Sequence, residues 1–286
     1  MRGWTCLWAV LLASFFGMLL ACPALAAAEK GGYVGTDACS ACHEDVVKAW
    51  SKLPHSKLLL DKKLPPEKFG CEACHGPGEK HVGSTDPADI QNPKKLKPKE
   101  RDNACLSCHE TKLNKIGWRQ TAHYQSGQAC YDCHDAHKAT SRGMLAKSES
   151  DLCGSCHAST MAKFSMNSHH PYKEGRVQCV SCHNVHDGRT QPMGRMETSK
   201  LCTTCHADKA GPFVYEHEGV SQGFSDGCVE CHSPHGSPNR KLLVLNGRGL
   251  CYRCHTSVST HHGSGRICYD CHRAIHGSMT DEFFRR

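Results

Sequence analysis

One pattern carries the chemistry of this chain and is repeated ten times: Cys, two variable residues, Cys, His. The cysteine pairs are Cys39 and Cys42, Cys71 and Cys74, Cys105 and Cys108, Cys130 and Cys133, Cys153 and Cys156, Cys179 and Cys182, Cys202 and Cys205, Cys228 and Cys231, Cys251 and Cys254, and Cys268 and Cys271. The closing histidines are His43, His75, His109, His134, His157, His183, His206, His232, His255 and His272. Together the motifs use 20 of the 22 cysteines. This spacing is the attachment signature of c-type haem: two thiols add across the porphyrin vinyl groups and the adjacent imidazole takes one face of the iron. Zinc sites and disulfide frameworks also use Cys-x-x-Cys, but neither needs a His directly after the second Cys. Histidine is 22 of 286 residues, so ten in ten such positions is not an effect of composition. Iron–sulfur clusters want runs of three or four closely spaced cysteines, which are absent. Ten haem c groups (ten irons) are therefore expected, and a chain with ten redox centres is most simply a path for electrons.

Twelve histidines lie outside the motifs: His55, His81, His123, His137, His169, His170, His186, His217, His235, His261, His262 and His276. Ten would give every iron a second imidazole. After odd-numbered motifs the second His comes 11 to 14 residues later: His55, His123, His169 or His170, and His217. After even-numbered motifs it comes at three residues (His137, His186, His235) or four (His276). His81 follows its motif by six, and His261 or His262 follows the ninth by six or seven. The count and the recurring offsets predict bis-imidazole ligation. One of His169/His170 and one of His261/His262 is then surplus. His170 is the favoured ligand of its pair, because Pro171 fixes the backbone after it. A His three residues past a proximal His cannot reach the far face of the same porphyrin, so His137, His186 and His235 must serve a neighbouring haem.

Two imidazoles give a six-coordinate, low-spin iron of lower potential than His/Met ligation and leave no open position for a substrate. An electron carrier rather than an enzyme is the expectation. No Ser-His-Asp arrangement, phosphate loop or carboxylate pair points to other chemistry. Glu230, Asp132 and Asp270, which stand between motif cysteines, read as solvated or supporting groups rather than acid–base catalysts.

The elements that position these residues must be short. From Cys105 the steps to Cys153, Cys202 and Cys251 are 48, 49 and 49 residues, and Cys130, Cys179 and Cys228 are 49 apart, so the repeating unit is about 49 residues and holds two motifs. The first unit is stretched and the last compressed, as terminal repeats often are. About five units make up one domain, residues 27–286. Segments after odd motifs, such as Glu44 to Trp50, read as short helices, and Gly, Pro and Ser interrupt longer periodicity. The expected fold is mostly coil with short α-helices, a haem-packed core and almost no β-structure.

Residues 1–26 read as an export signal: Arg2, an apolar stretch from Leu7 to Leu20, and a small-residue cleavage site at Ala24-Leu25-Ala26. Two other readings stand beside it. Gly3 to Ala28 is uncharged and long enough to span a bilayer if retained, and Leu19-Leu20-Ala21-Cys22 is an imperfect acylation site. Beyond the leader, Val, Ile, Leu and Phe make up 37 of about 260 residues, too few for a chain to offset its ordering entropy alone. The porphyrins must supply the missing apolar mass, so that haem binding is folding free energy. The formal charge of +7 misleads in the same way. Without Arg2, and with two propionates per haem, the oxidised holoprotein carries about −4 and the reduced form about −14. Nucleic acid is not an expected partner. The Lys-rich stretch from Lys94 to Arg101, broken by Pro98, reads as a solvated loop.

The stretches Cys71-Glu-Ala-Cys-His-Gly-Pro-Gly with His81, Cys202 through His217, Cys228-Val-Glu-Cys-His-Ser-Pro-His235-Gly-Ser and Cys268-Tyr-Asp-Cys-His-Arg-Ala-Ile-His276-Gly-Ser resemble the MtrA/DmsE family of decahaem cytochromes. The resemblance implies an elongated haem chain. It implies a periplasmic protein, associated with the outer membrane, that exchanges electrons between a quinol-linked donor cytochrome (periplasmic or in the inner membrane) and an extracellular multihaem cytochrome through a β-barrel porin. It also implies that the histidines named above are axial ligands. The segment between His255 and Cys268 is short compared with some relatives. A soluble periplasmic shuttle, or the donor subunit of a terminal reductase, is the alternative; an oxyanion-reducing enzyme and a filament subunit are weaker ones.

Overall fold

The computed structural model describes residues 32–113, 115–187, 195–218, 226–258 and 265–286. The export, acylation and anchor readings of residues 1–28 fall outside them, as do His261 and His262. Among the described residues, no helix is long and apolar enough to cross a membrane.

Each motif is itself a turn of helix. The carbonyl of the first cysteine accepts the amide of the closing histidine four residues on, as in Cys39–His43 (3.0 Å), Cys71–His75 (3.1 Å), Cys130–His134 (2.8 Å), Cys228–His232 (3.0 Å) and Cys268–His272 (2.9 Å). One turn puts residues three and four apart on one face, so both thiols and the imidazole project to the same side. The turns rarely grow further. Helices run Thr36–Ser40, Glu44–Trp50, Pro54–Leu59, Glu72–His75, Glu79–Ser84, Asn103–Leu113, Lys115–Arg119, Glu149–Gly154, Ala158–Lys163, Arg195–Thr203 and Arg248–Tyr252, with further turns of three or four residues between them. Eleven residues, at Asn103–Leu113, is the longest among the described residues. Starts follow the local sequence: Pro54 and Pro98 occupy first helical positions, and Ser148 and Thr121 accept the amides of Asp151 and Tyr124.

Among the described residues there is no strand, only isolated bridges such as His134 with Leu145, Ser168 with Ser237, Tyr215 with Ser278 and His232 with Leu243. The chain crosses itself closely at one of these. A Cβ on Gly236 would overlap the carbonyl of Lys163, so only glycine lets residues 235–237 lie against that helix.

The polypeptide has almost no apolar core of its own. Trp50, Leu106, Trp118, Ala129, Phe164, Leu243 and Leu250 are its buried hydrophobic residues among those described, and no large side chain is fully enclosed. Leu58, Val214 and Met279 are 60–64% exposed.

Candidate haem sites

The histidines gather in pairs, and each pair joins two different motifs. Ring centres are 6.3 Å apart for His43 and His81, 5.8 Å for His75 and His137, 5.9 Å for His55 and His109, 5.9 Å for His134 and His186, and 6.1 Å for His123 and His157. The series continues with His183 and His235 at 6.0 Å, His170 and His206 at 6.2 Å, His232 and His276 at 6.2 Å, and His217 and His255 at 6.1 Å. Two imidazoles on opposite faces of one metal stand roughly 6 Å apart, twice the sum of a metal–nitrogen bond of about 2 Å and the roughly 1 Å from ring nitrogen to ring centre. All nine pairs meet that spacing, so the residues present fit a haem iron between them.

The pairing follows an exchange rule. The second histidine after motifs one, three, five and seven (His55, His123, His170, His217) reaches forward to the proximal histidine two motifs on. The second histidine after motifs four, six, eight and ten (His137, His186, His235, His276) reaches back two motifs. The series turns round at its start, where His81 after motif two meets His43 of motif one. His169 is turned aside: its Nδ1 meets the Met166 carbonyl at 2.7 Å and its Nε2 meets Glu174 at 3.2 Å.

Backbone carbonyls aim several rings. The Nδ1 of His75 lies 2.8 Å from the Gln91 carbonyl, that of His134 2.8 Å from Gly143, that of His232 2.8 Å from Lys241, and that of His272 2.5 Å from Phe283. His81 and His170 meet Asp86 and Pro234 in the same way, at 2.9 and 2.5 Å. A partner on Nδ1 fixes the tautomer that leaves Nε2 free for a metal. The loops that deliver these carbonyls carry positive φ at Gly143, Met144, Lys241, Leu242 and Phe284, and four of these five are not glycine. Backbone strain of this kind persists where its surroundings dictate it, here beside the proximal imidazoles. Burial, then the facing imidazole, lowers the basicity of His55, His123, His186, His217 and His235, and burial lowers that of His276 to about 4. That favours the neutral, metal-binding form.

The cysteines form a ladder. First cysteines lie side by side within each unit: Cys39 with Cys71, Cys105 with Cys130, Cys153 with Cys179, Cys202 with Cys228, and Cys251 with Cys268. The next contacts cross between units. Cys74 lies in electrostatic range of Cys105 and Cys108, Cys133 of Cys153 and Cys156, Cys182 of Cys205, and Cys231 of Cys254. Hydrogen bonding to a neighbouring thiol, and then burial, push the Cys130 and Cys202 thiols upward, while burial raises Cys39 and Cys74 to about 11. The ten motifs thus follow one another in sequence order, paired within units and within electrostatic range between them.

A clamp the motifs do not advertise holds each unit closed. A polar residue three or four positions before an odd motif reaches the start of the even motif that follows. Thr36 Oγ1 lies 3.9 Å from Cys71 Sγ, the Cys130 amide donates to Asp102 at 3.0 Å, the Cys179 amide donates to Glu149 at 2.5 Å, and Ser199 Oγ lies 3.7 Å from Cys228 Sγ. In the last unit, Arg248 Nε donates to the Arg266 carbonyl at 2.8 Å. Asp102 is 2% exposed and also accepts the Trp118 indole N–H at 2.7 Å. Glu72, 3% exposed, accepts the amides of Val34, Gly35 and Gly78 at 3.0, 2.7 and 2.7 Å. Of the carboxylates singled out in the sequence, Glu230 takes Arg253 of the next motif at 2.6 Å and Asp132 accepts the Ala129 amide at 2.7 Å. The Asp270 backbone carbonyl accepts Arg273 Nε at 3.2 Å.

Two comparisons with known proteins bear on these motifs. The family model for a doubled CXXCH motif matches residues 123–162, 169–211 and 217–260. The paired motifs indicate a multihaem c-type cytochrome, and the described residues are mostly coil with short helices. The chain is 32% identical over 142 residues to the multihaem cytochrome MtrA of Shewanella baltica (strain OS185). That match covers 49% of this chain and 42% of the relative's length.

Proposed function

We propose that this chain carries ten haem c groups, one per motif, in sequence order, and that it conducts electrons along them across part of the cell envelope. The observation that carries this reading is the combination of nine imidazole pairs at iron-bridging separation with a cysteine ladder running from Cys39 to Cys268. The haems are the redox centres. The protein's own part is to fix two imidazoles per iron, to close coordination positions against substrates, and to hold neighbouring motifs in contact. With the other second histidines paired, the imidazole facing His272 is left to the segment after motif nine, where His261 and His262 stand, a one-motif step that mirrors His81 and His43 at the other end. Ligation from both directions along the sequence ties each unit to the next, so the chain of haems resists local opening.

Residues 1–26 export the chain, and residues 27–286 form the haem-binding domain. In this reading the domain works in the periplasm at the outer membrane, inside or against a β-barrel porin, between a quinol-linked donor cytochrome and an extracellular multihaem cytochrome. The likeness to MtrA supports the setting. The test is a native gel of detergent-extracted envelope fractions, stained for covalent haem, with mass spectrometry on the haem-positive band. Co-migration with an outer-membrane barrel supports the conduit. A haem band confined to the soluble periplasm, without a barrel, replaces it with a soluble shuttle.

A further inference from the structure

The nine imidazole pairs differ in one respect that spacing does not capture. In six of them the ring planes are nearly parallel: 17° for His43 and His81, 25° for His75 and His137, 20° for His134 and His186, 29° for His183 and His235, 11° for His232 and His276, and 23° for His217 and His255. In three they are strongly turned: 71° for His55 and His109, 87° for His123 and His157, and 59° for His170 and His206. The turned pairs belong to motifs three, five and seven, and the parallel pairs to motifs two, four, six and eight between and around them. Motifs one and nine are parallel as well.

The cause is local. In the first two turned pairs the distal ring stands on a helix, His55 within Pro54–Leu59 and His123 within Ala122–Gln125. The distal rings facing motifs two, four and six (His137, His186, His235) stand instead in tight turns three residues after a motif. The proximal rings differ in part. At motifs two, four, eight and ten the proximal Nδ1 meets a backbone carbonyl, whereas among the described residues the proximal ring of the parallel site at motif six shares the lack of one with those of motifs three, five and seven.

Ring orientation changes what an imidazole pair does to an iron. Each imidazole donates π density perpendicular to its own plane. Parallel rings act on the same iron dπ orbital, split it from its partner and stabilise the ferric hole. Crossed rings raise both orbitals together and stabilise it less. A carbonyl on Nδ1 makes the imidazole a stronger donor and favours ferric iron further. We propose that the chain alternates two kinds of haem site along motifs two to eight: crossed-ligand sites at three, five and seven that hold an electron more readily, and parallel-ligand sites at two, four, six and eight that pass it on. The proposal rests on the bis-imidazole reading above. His170, whose Nδ1 meets the Pro234 carbonyl, makes motif seven the weakest electron holder of the three.

The test is electron paramagnetic resonance of the intact holoprotein through a redox titration, with H123M and H137M beside the native chain. Crossed pairs give strongly anisotropic low-spin signals and parallel pairs give rhombic ones. On lowering the potential, the anisotropic signals should vanish first. H123M should remove about a third of the anisotropic intensity and leave the rhombic signals intact; H137M should do the reverse. If H123M instead depletes the rhombic signals, or if both classes are reduced together, the alternation is wrong while bis-imidazole ligation stands. If neither variant removes any low-spin signal, the ligation itself is wrong.

Discussion

Removing the ring of His137 opens a coordination position at motif two and leaves motif four intact, although His137 follows motif four by three residues. The rings of His137 and His75 are 5.8 Å apart, and that of His134 faces His186 instead. In H137A the lost imidazole leaves a space larger than the ~30 Å³ share of a water molecule, enough to admit a diatomic ligand. With ten motifs in the chain, one opened site amounts to a tenth of the haem. The native reduced protein should be unchanged by carbon monoxide, and H137A should bind one equivalent per chain. Its address is read by deleting haems. Changing Cys71 and Cys74 to Ser in the H137A background should abolish the new site, whereas changing Cys130 and Cys133 should leave it, with intact mass reporting the haem count in every variant. Loss of the site on deleting motif four, with retention on deleting motif two, would refute the exchange rule.

Other outcomes follow from the clamps. Trp118→Phe removes the indole hydrogen bond to the buried Asp102 carboxylate, and a bond to a charged group is worth about 1.5–3 kcal/mol. The denaturation midpoint followed by haem absorbance should fall accordingly, and an unchanged midpoint would show that this clamp contributes nothing. Glu72→Ala strands three backbone donors near the second motif and should cost at least about 2 kcal/mol; a neutral result in the same assay would contradict it. Gly236→Ala forces a methyl into the Lys163 carbonyl and should disturb the low-spin spectrum of the sites using His170 and His235, which native-like spectra would exclude. The Asp281 carboxyl is held at about 2 by hydrogen bonding to Arg285. A depressed carboxylate stabilises above its ordinary range and loses that effect only as pH falls through the folded value. Exchange protection of the Phe283 and Arg285 amides should therefore persist from neutral pH to about 4, and D281N should lose it throughout.

The thiols and proximal imidazoles were legible because one helical turn fixes their relation locally. The pool of second histidines was legible by count, and the need for His137, His186 and His235 to serve other motifs followed from reach alone. Which motif each serves was not, because the exchange joins segments far apart in the chain. Glu72, Asp102 and Glu149 escaped for the same reason, although Thr36, Asp102, Glu149, Ser199 and Arg248 stand at nearly one register before the odd motifs and a repeat alignment would have raised them together. The turn of the rings left no trace at all, since it depends on side-chain torsions set by packing. The shortage of apolar residues was visible in composition, and among the described residues few apolar side chains are buried.

The central claim is an unbroken series of ten bis-imidazole haems. Near-infrared magnetic circular dichroism of the oxidised holoprotein, normalised to the haem count from intact mass, tests it most directly. Ten haems, all with the bis-imidazole charge-transfer signature, are predicted. Fewer haems, or a high-spin or His/Met fraction equal to one haem or more, would contradict it.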